Sequence, residues 1–128
     1  MRIIGTGTDI VPVERIASLL AERGQRFVER WFTPAETAYC LAKSDAAQHL
    51  AARLAAKEAV FKALRLSGDR AVPYRDIEIG HEPGGAPVVH LHGVTALDAA
   101  ASGVAGVHVS LAHVPEYATA TALAFADQ

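Results

Sequence analysis

The first candidate for chemistry is Asp9, which follows the glycine-containing segment Gly5-Thr6-Gly7-Thr8. If this segment is a strand, Asp9 shares one face with Ile3, Gly5 and Gly7, and the missing side chains leave space there for a ligand or a neighbouring backbone. A carboxylate beside such a space could hold a hard cation, or it could simply end the strand or cap the next helix. A dinucleotide-binding fingerprint is excluded because its third glycine is missing.

A second group of candidates is the run of charges from Arg53 to Lys62 in an alanine-rich segment. On a helical wheel, the large apolar residues form one arc: Leu50, Leu54, Phe61 and Leu64. At about 100° per residue, Lys57 falls inside this arc and Glu58 lies at its border, where charges need partners or a ligand. The alternative is structural, with Glu58 and Lys62 forming a surface pair while Lys57 and Arg53 extend their charged ends to solvent.

A third group lies near the end of the chain, in Val107-His108-Val109-Ser110-Leu111-Ala112-His113. On a strand, His108 and Ser110 share one face, which makes that face a candidate ligand surface. By strict alternation His113 lies on the opposite face, so both histidines serve one site only if a bulge or the strand end turns one of them. The alternative is a pair of partly buried histidines that are hydrogen-bonded to backbone groups.

Four arginines recur near the start of the chain, with glutamates between them: Arg15, Arg23, Arg26 and Arg30. Mixed charge of this kind is typical of a solvated helix face. If the arginines converge instead, their surface would suit an acidic protein partner and would mainly raise its rate of encounter.

The elements that must position these residues are predicted from periodicity and end signals. Helices are expected at residues 13–23, 25–32, 34–43, 46–66 and 94–101, with Ser67-Gly68 ending the longest one. Strands are expected at 2–10, 76–80, 88–91, 107–113 and 117–125, the second and third joined in a hairpin. Thr33-Pro34-Ala35-Glu36 is a capping box with proline at the first helical position. This order indicates a single α+β domain over residues 1–128, with a largely antiparallel sheet, one long helix and several short helices.

Composition excludes several classes of protein. The chain has 128 residues, of which 51% are hydrophobic, so it is a folded domain and not a disordered segment. A net charge of −2 gives no support for a nucleic-acid or membrane surface, and neither a signal peptide nor a membrane span is expected. The single cysteine, Cys40, excludes an intrachain disulfide and favours a cytoplasmic setting. Because only 6% of residues are aromatic, self-association is expected to add stability.

These motifs occur together in an order that resembles one family. They are Gly5-Thr6-Gly7-Thr8-Asp9-Ile10-Val11, Phe32-Thr33-Pro34-Ala35-Glu36, Arg53-Leu54-Ala55-Ala56-Lys57-Glu58-Ala59 with Lys62, and His108-Val109-Ser110-Leu111-Ala112-His113. From end to end the chain resembles the holo-[acyl-carrier-protein] synthases, the small group of 4′-phosphopantetheinyl transferases. Each motif is short, but their joint spacing is highly specific.

The resemblance implies a Mg²⁺-dependent transfer of the 4′-phosphopantetheine arm from coenzyme A to a serine of an apo acyl carrier protein, releasing adenosine 3′,5′-bisphosphate. Asp9 and Glu58 match the metal-binding acids of the family, and oxygen ligands suit a hard ion. The expected catalytic residues are Glu58, Lys62 and His108. The serine proton is expected to pass to Glu58, to a metal-bound water beside it, or to a histidine of the 108–113 segment.

The resemblance also implies a set of coenzyme A contacts: Lys43, Arg53, Lys57, Lys62, Gly85, Pro87, His108, Ser110 and His113. Arg15, Arg23, Arg26 and Arg30 correspond to the positions that meet the acidic carrier protein. A homotrimer with active sites between protomers is expected. Ala86 stands where many relatives have Lys or Arg, so one cationic contact is expected to be missing, with Lys43 as the residue that could compensate. A non-catalytic module that binds coenzyme A or a carrier, and a metal-dependent nucleotide hydrolase, are the alternatives.

Overall fold

Helices dominate the first half of the chain and strands the second, in the order that the sequence predicts. The computed structural model describes residues 1–66 and 72–128. The helices are α1 (Val13–Arg23), α2 (Gln25–Trp31), α3 (Pro34–Leu41), α4 (Ala46–Leu64) and α5 (Gly93–Ala101). The strands are β1 (Arg2–Pro12), β2 (Ile77–His81), β3 (Pro87–Leu91), β4 (Gly106–His113) and β5 (Tyr117–Ala126), and a 3-10 turn (Tyr74–Asp76) precedes β2. The expected α+β fold is confirmed. The predicted helix stop at Ser67-Gly68 lies outside the described residues.

Two antiparallel sheets form the strand layer. Strands β1, β5 and β4 pair in that order, and β2 and β3 form a separate hairpin. Helix α4 crosses the three-stranded sheet, and β5 turns only alanines toward it, at 118, 120, 122, 124 and 126, all of them buried. Small side chains at alternate positions let the helix lie close to the strands.

Gly5 and Gly7 are required because α4 packs directly on β1. A Cβ atom added to Gly5 would lie 2.5 Å from the carbonyl oxygen of Ala63, and one added to Gly7 would overlap the carbonyl oxygen of Ala59. The space beside Asp9 is therefore filled by a neighbouring backbone. Ile3 does not share this face, because a register shift between Ile3 and Gly5 turns it to the opposite, exposed side of the strand.

Helix α4 is buried on most of its circumference, since the sheet, α1, α3 and β2 all pack against it. Leu50, Leu54 and Leu64 are in the core as predicted, but Phe61 is 44% exposed. The single apolar arc was the wrong description, because alanines at the remaining positions are buried as well. The helix ends two residues earlier than predicted, with Arg65 in a left-handed conformation at its C-cap.

The sheet face opposite α4 is uncovered within the described residues. It carries threonines and large apolar side chains from β1 and β5, and Ile3 and Ile10 on it are 54% and 58% exposed. No helix in the described ranges is long and apolar enough to span a bilayer.

Candidate functional site

Asp9 lies on the face of β1 that meets α4, with its side chain about 20% exposed. Lys62 of α4 reaches across to this strand: its Nζ donates to the carbonyl oxygen of Thr8 at 2.9 Å and lies 3.4 Å from Asp9 Oδ1. In residues 1–66 and 72–128, Lys62 forms no ion pair with Glu58. The alternative considered from the sequence, a surface ion pair between Glu58 and Lys62, is therefore wrong.

Glu58 lies one turn before Lys62 and is partly buried. The phenol of Tyr74, in the 3-10 turn, donates to Glu58 Oε1 at 2.8 Å. Burial, this hydrogen bond and the charge of Glu58 raise the pKa of Tyr74 to about 12, and the charge of Asp9 adds to the effect. A pocket of about 240 Å³ adjoins the pair and is lined in part by Phe61 and Val72.

The chemistry of this donor set fits a hard cation. Asp9 and Glu58 offer carboxylate oxygens from β1 and α4, which are in direct contact at Gly7. No group of three or more His, Cys, Asp or Glu side chains that could hold a metal occurs in the described part of the chain. An ion held by two carboxylates would complete its shell with water and substrate oxygens, as Mg²⁺ commonly does.

Lys57 is fully buried and has its partners inside the fold. Its Nζ donates to Glu36 Oε1 at 2.7 Å, to the carbonyl oxygen of Tyr74 at 2.9 Å and to that of Ile77 at 2.7 Å. Burial lowers the pKa of Lys57, and the attraction of Glu36 opposes that shift. Because all three ammonium donors are used, the structure contradicts both the expected contact of Lys57 with coenzyme A and the solvent-extended alternative.

Glu36, the glutamate of the predicted capping box, is the acidic partner of this buried pair. The box is confirmed: the Glu36 N–H donates to Thr33 Oγ1 at 3.2 Å, and the Thr33 N–H donates to Glu36 Oε1 at 2.9 Å. The other carboxylate oxygen, Oε2, accepts from the Ile79 N–H at 2.9 Å. One side chain thus joins the start of α3 to α4 and β2.

A cationic pocket surrounds Tyr39 of α3. The guanidinium of Arg53 lies 4.5 Å from the centre of the Tyr39 ring and Lys43 Nζ lies 4.8 Å from it. His81 packs against the same ring, and a cavity of about 270 Å³ opens beside it. Arg53 is only 6% exposed, and its Nε has no hydrogen-bond partner among the described residues. Because the guanidinium of Arg53 lines this cavity, the cavity suits an anion.

The histidines of β4 lie on opposite faces of the sheet. His113 is on the α4 side, 6.0 Å from the ring of His49, whereas His108 stacks on Phe125 on the uncovered face. The pairing of β4 with β5 runs without a shift from Gly106 to His113. Both histidines are exposed, contrary to the partly buried alternative, and Ser110 is exposed on the face of His108. One chain does not bring the two histidines to one site.

Gly85 is exposed at the tip of the β2–β3 hairpin, and Pro87, the first residue of β3, is half-buried beside it. The turn is held by a hydrogen bond from the Gly85 N–H to the carbonyl oxygen of Glu82, and Gly85 has a φ of 95°, which favours glycine. Ala86, between them, offers no charge at this tip.

The four arginines are exposed on α1 and α2. Arg23, Arg26 and Arg30 converge on a groove of about 1040 Å³, whose other lining residues include Trp31 and Tyr74. Arg15 lies outside this groove but is near enough to Tyr74 for its charge to act on the phenol. None of the four arginines forms an ion pair within residues 1–66 and 72–128.

Comparison with known proteins identifies the family. A family model described as the 4′-phosphopantetheinyl transferase superfamily matches residues 5–122. The chain belongs to this superfamily. It is 44% identical to the holo-[acyl-carrier-protein] synthase of Koribacter versatilis over 121 residues, which are 94% of this chain and 97% of that protein.

Solved structures of the same group have the same fold. The holo-[acyl-carrier-protein] synthase of Neisseria meningitidis superposes with a TM-score of 0.86 at 33% identity, covering 96% of this chain and 98% of that one. The Helicobacter pylori synthase, solved in complex with coenzyme A, gives a TM-score of 0.80 at 27% identity and covers 94% of this chain and 99% of that one. The resemblance seen in the sequence is confirmed, and the chain is an enzyme, a phosphopantetheinyl transferase.

Within one phosphopantetheinyl transferase chain the predicted site residues form separate groups. Lys62 contacts Asp9 between β1 and α4, with Glu58 one helical turn before Lys62, while Lys43 and Arg53 meet at Tyr39. His108 and Ser110 are on the uncovered sheet face, and Gly85 and Pro87 are at the hairpin tip. Sequence reasoning missed Tyr74 and Tyr39. No motif indicates them: the hydroxyl of Tyr74 meets Glu58, 16 positions earlier in the chain, and Tyr39 takes its place beside Arg53 only in the fold.

Proposed function

We propose that this enzyme transfers the 4′-phosphopantetheine arm of coenzyme A to a serine hydroxyl of an acyl carrier protein, with Mg²⁺, and releases adenosine 3′,5′-bisphosphate. The observation that carries the proposal is that Lys62 of α4 contacts Asp9 of β1, while the charges of Asp9 and Glu58 both act on the phenol of Tyr74. Relatives with this fold are named as synthases in complex with coenzyme A, from Helicobacter pylori, and with "CoA (3',5'-ADP)", from Bacillus anthracis.

The reaction joins the serine Oγ to the β-phosphorus of coenzyme A and breaks the bond from that phosphorus to the bridging oxygen, which leaves with the adenosine bisphosphate. Mg²⁺ held by Asp9 and Glu58 would neutralise charge on the diphosphate. Lys62, with its side chain 52% exposed, can turn its ammonium from Asp9 to a phosphate oxygen. Glu58 Oε2 makes no hydrogen bond with the described residues, so it can take the serine proton directly or through a water.

The adenosine end of coenzyme A would lie at the Tyr39 pocket. Arg53 and Lys43 supply the positive charge for a phosphate there. Gly85 and Pro87 at the hairpin tip would flank the nucleotide, and His113 would approach from β4. Since Ala86 brings no cation, Lys43 would compensate for the missing contact.

A single chain cannot present all of these groups to one coenzyme A. His108 and Ser110 face away from α4. They would therefore reach only a coenzyme A that is bound at the Glu58 of another copy. The uncovered sheet face offers exposed Ile3 and Ile10 for such an association. We therefore propose a homotrimer with each active site between two protomers.

The carrier protein would dock on the arginine groove. Arg23, Arg26 and Arg30 give it a positive lining, which suits an acidic carrier, and Arg15 extends the charge toward Tyr74. Tyr74 lines both the groove and the pocket of Glu58, so a serine entering from the groove arrives at Glu58. The buried free thiol of Cys40 is consistent with the cytoplasm as the place of reaction.

Mass spectrometry of the carrier tests the reaction. We expect purified enzyme, coenzyme A and Mg²⁺ to increase the mass of an apo carrier protein by one phosphopantetheine, and Glu58→Gln to abolish the increase without unfolding the enzyme. Unchanged mass with several acidic carriers would refute the proposal, and binding without transfer would indicate the non-catalytic module. Cleavage of coenzyme A without any carrier would indicate the hydrolase.

Mixing two inactive variants tests the shared site. At about 100° per residue, Lys62 lies about 180° around α4 from Arg53, so we assign the Glu58–Lys62 group and Arg53 of one site to different protomers. Glu58→Gln alone and Arg53→Glu alone are each expected to be inactive. In a randomly mixed 1:1 trimer about a quarter of the sites are intact, and activity should return to that extent. Continued inactivity of a mixed trimer would place both groups in one protomer's site.

A further inference from the structure

We propose that Tyr74 is a positioning residue of this enzyme, whose phenol holds the Glu58 carboxylate in its reactive orientation beside the arginine groove. The inference rests on the proposed function and deepens it. In the sequence, neither the candidate metal ligands Asp9 and Glu58 nor the four arginines of α1 and α2 indicated a role for Tyr74.

Tyr74 is itself fixed by two contacts that are independent of Glu58. Its ring packs on Trp31 of α2, with 5.2 Å between ring centres and 35° between the planes. Its carbonyl oxygen accepts from Lys57 Nζ at 2.9 Å, which ties it to the buried pair with Glu36. Its hydroxyl donates to Glu58 Oε1. A phenol held at its backbone and its ring can impose a direction on the carboxylate that it contacts.

The phenol constrains one oxygen of Glu58 and leaves the other free. The hydrogen bond of 2.8 Å to Oε1 is the only one that Glu58 receives from a side chain of the described residues. Without it the carboxylate can rotate about the torsions of a glutamate side chain, and Oε2 is no longer directed at a metal ion or a substrate hydroxyl. Orientation of this kind changes the rate of the chemical step and leaves carrier docking unaffected.

Tyr74 also joins the two cavities that the reaction uses. It lines the arginine groove next to Trp31, and it lines the smaller pocket next to Glu58. A carrier held by Arg26 and Arg30 therefore reaches Glu58 past this phenol.

Tyr74→Phe removes the hydroxyl and retains the ring that packs on Trp31. We expect kcat to fall about 10- to 100-fold, the effect of one lost hydrogen bond to a charged group, while KM for the carrier stays within about twofold. Tyr117→Phe is the matched control, because Tyr117 is exposed and its hydroxyl has no hydrogen bond with the described residues. The control should keep the wild-type kcat.

Metal affinity provides a readout that does not depend on turnover. In titrations of Mn²⁺ with coenzyme A present, the affinity of Tyr74→Phe should be several-fold weaker than that of wild type and Tyr117→Phe. Wild-type kcat in Tyr74→Phe would overturn the inference. A fall in kcat accompanied by an equal rise in KM for the carrier and a lower melting temperature would also overturn the inference. That pattern would show that Tyr74 supports the fold and does not orient Glu58. If wild type transfers nothing, the proposed function fails, while the Mn²⁺ titration still tests Tyr74.

Discussion

Replacing Lys57 by Met tests whether this lysine supports the fold or contacts coenzyme A. Its ammonium is wholly buried and gives one hydrogen bond each to Glu36, Tyr74 and Ile77. Met keeps most of the length and the apolar contacts of the stem, so the change removes mainly the charge and its three hydrogen bonds.

The expected loss of stability is large because Glu36 remains charged and buried without its partner. Breaking a buried ion pair from one side costs about 3–5 kcal/mol. That is a large part of the roughly 5–15 kcal/mol that stabilises a domain. At about 4 °C per kcal/mol for a chain of this size, the melting temperature should fall by about 12–20 °C.

Urea unfolding at fixed protein concentration, followed by the fluorescence of Trp31, the single tryptophan, measures this loss. Lys43→Met is the matched control and should cost less than about 1 kcal/mol, because Lys43 is exposed. Adding Glu36→Gln to Lys57→Met should restore part of the stability, since glutamine retains the capping role without a charge. A loss below about 1 kcal/mol for Lys57→Met, or a specific loss of coenzyme A affinity in folded protein, would refute the structural role.

Three further predictions follow from contacts elsewhere. Gly7→Ala should lower the melting temperature and the activity together, because the added Cβ meets the backbone of α4, and retention of both would contradict that packing. Arg26→Glu should raise KM for an acidic carrier and spare coenzyme A affinity, and an equal loss of both would count against the groove. The hydrogen bond from Thr33, with a further one from His92, lowers the pKa of Glu78 from its ordinary value of 4.5. As pH falls below that value the unfolded chain takes up a proton first, so stability decreases. Glu78→Gln should lessen this acid dependence in melting curves measured from pH 6 to 3.

Signals between close neighbours in the chain made most of the fold predictable. The capping box at Thr33 fixed the start of α3, and Gly5 and Gly7 indicated a close approach to β1. The alternation of β4 correctly placed His108 and His113 on opposite faces. In each case the decisive interaction lies within a few residues or repeats with the period of the element.

The parts of the site that the sequence did not reveal depend on contacts between distant segments. The helical wheel placed Lys57 inside the apolar arc but could not show its partners, which are Glu36 and two carbonyl groups from the segment 74–77. Phe61 was assigned to the core because a wheel assumes one buried side, whereas α4 is enclosed on several. Tyr74 gave no signal because its hydroxyl meets a residue 16 positions earlier in the chain.

The direction in which α4 presents its charges supports the proposed sharing of sites between copies. At about 100° per residue, Lys62 lies about 180° around the helix from Arg53. The helix is packed into the core along its length, so a cofactor cannot lie across it to touch both side chains. Arg53 and Lys62 of one copy therefore belong to different cofactors if both bind coenzyme A. A closed ring satisfies this arrangement, because each copy then gives Asp9, Glu58 and Lys62 to one site and Arg53 to the next.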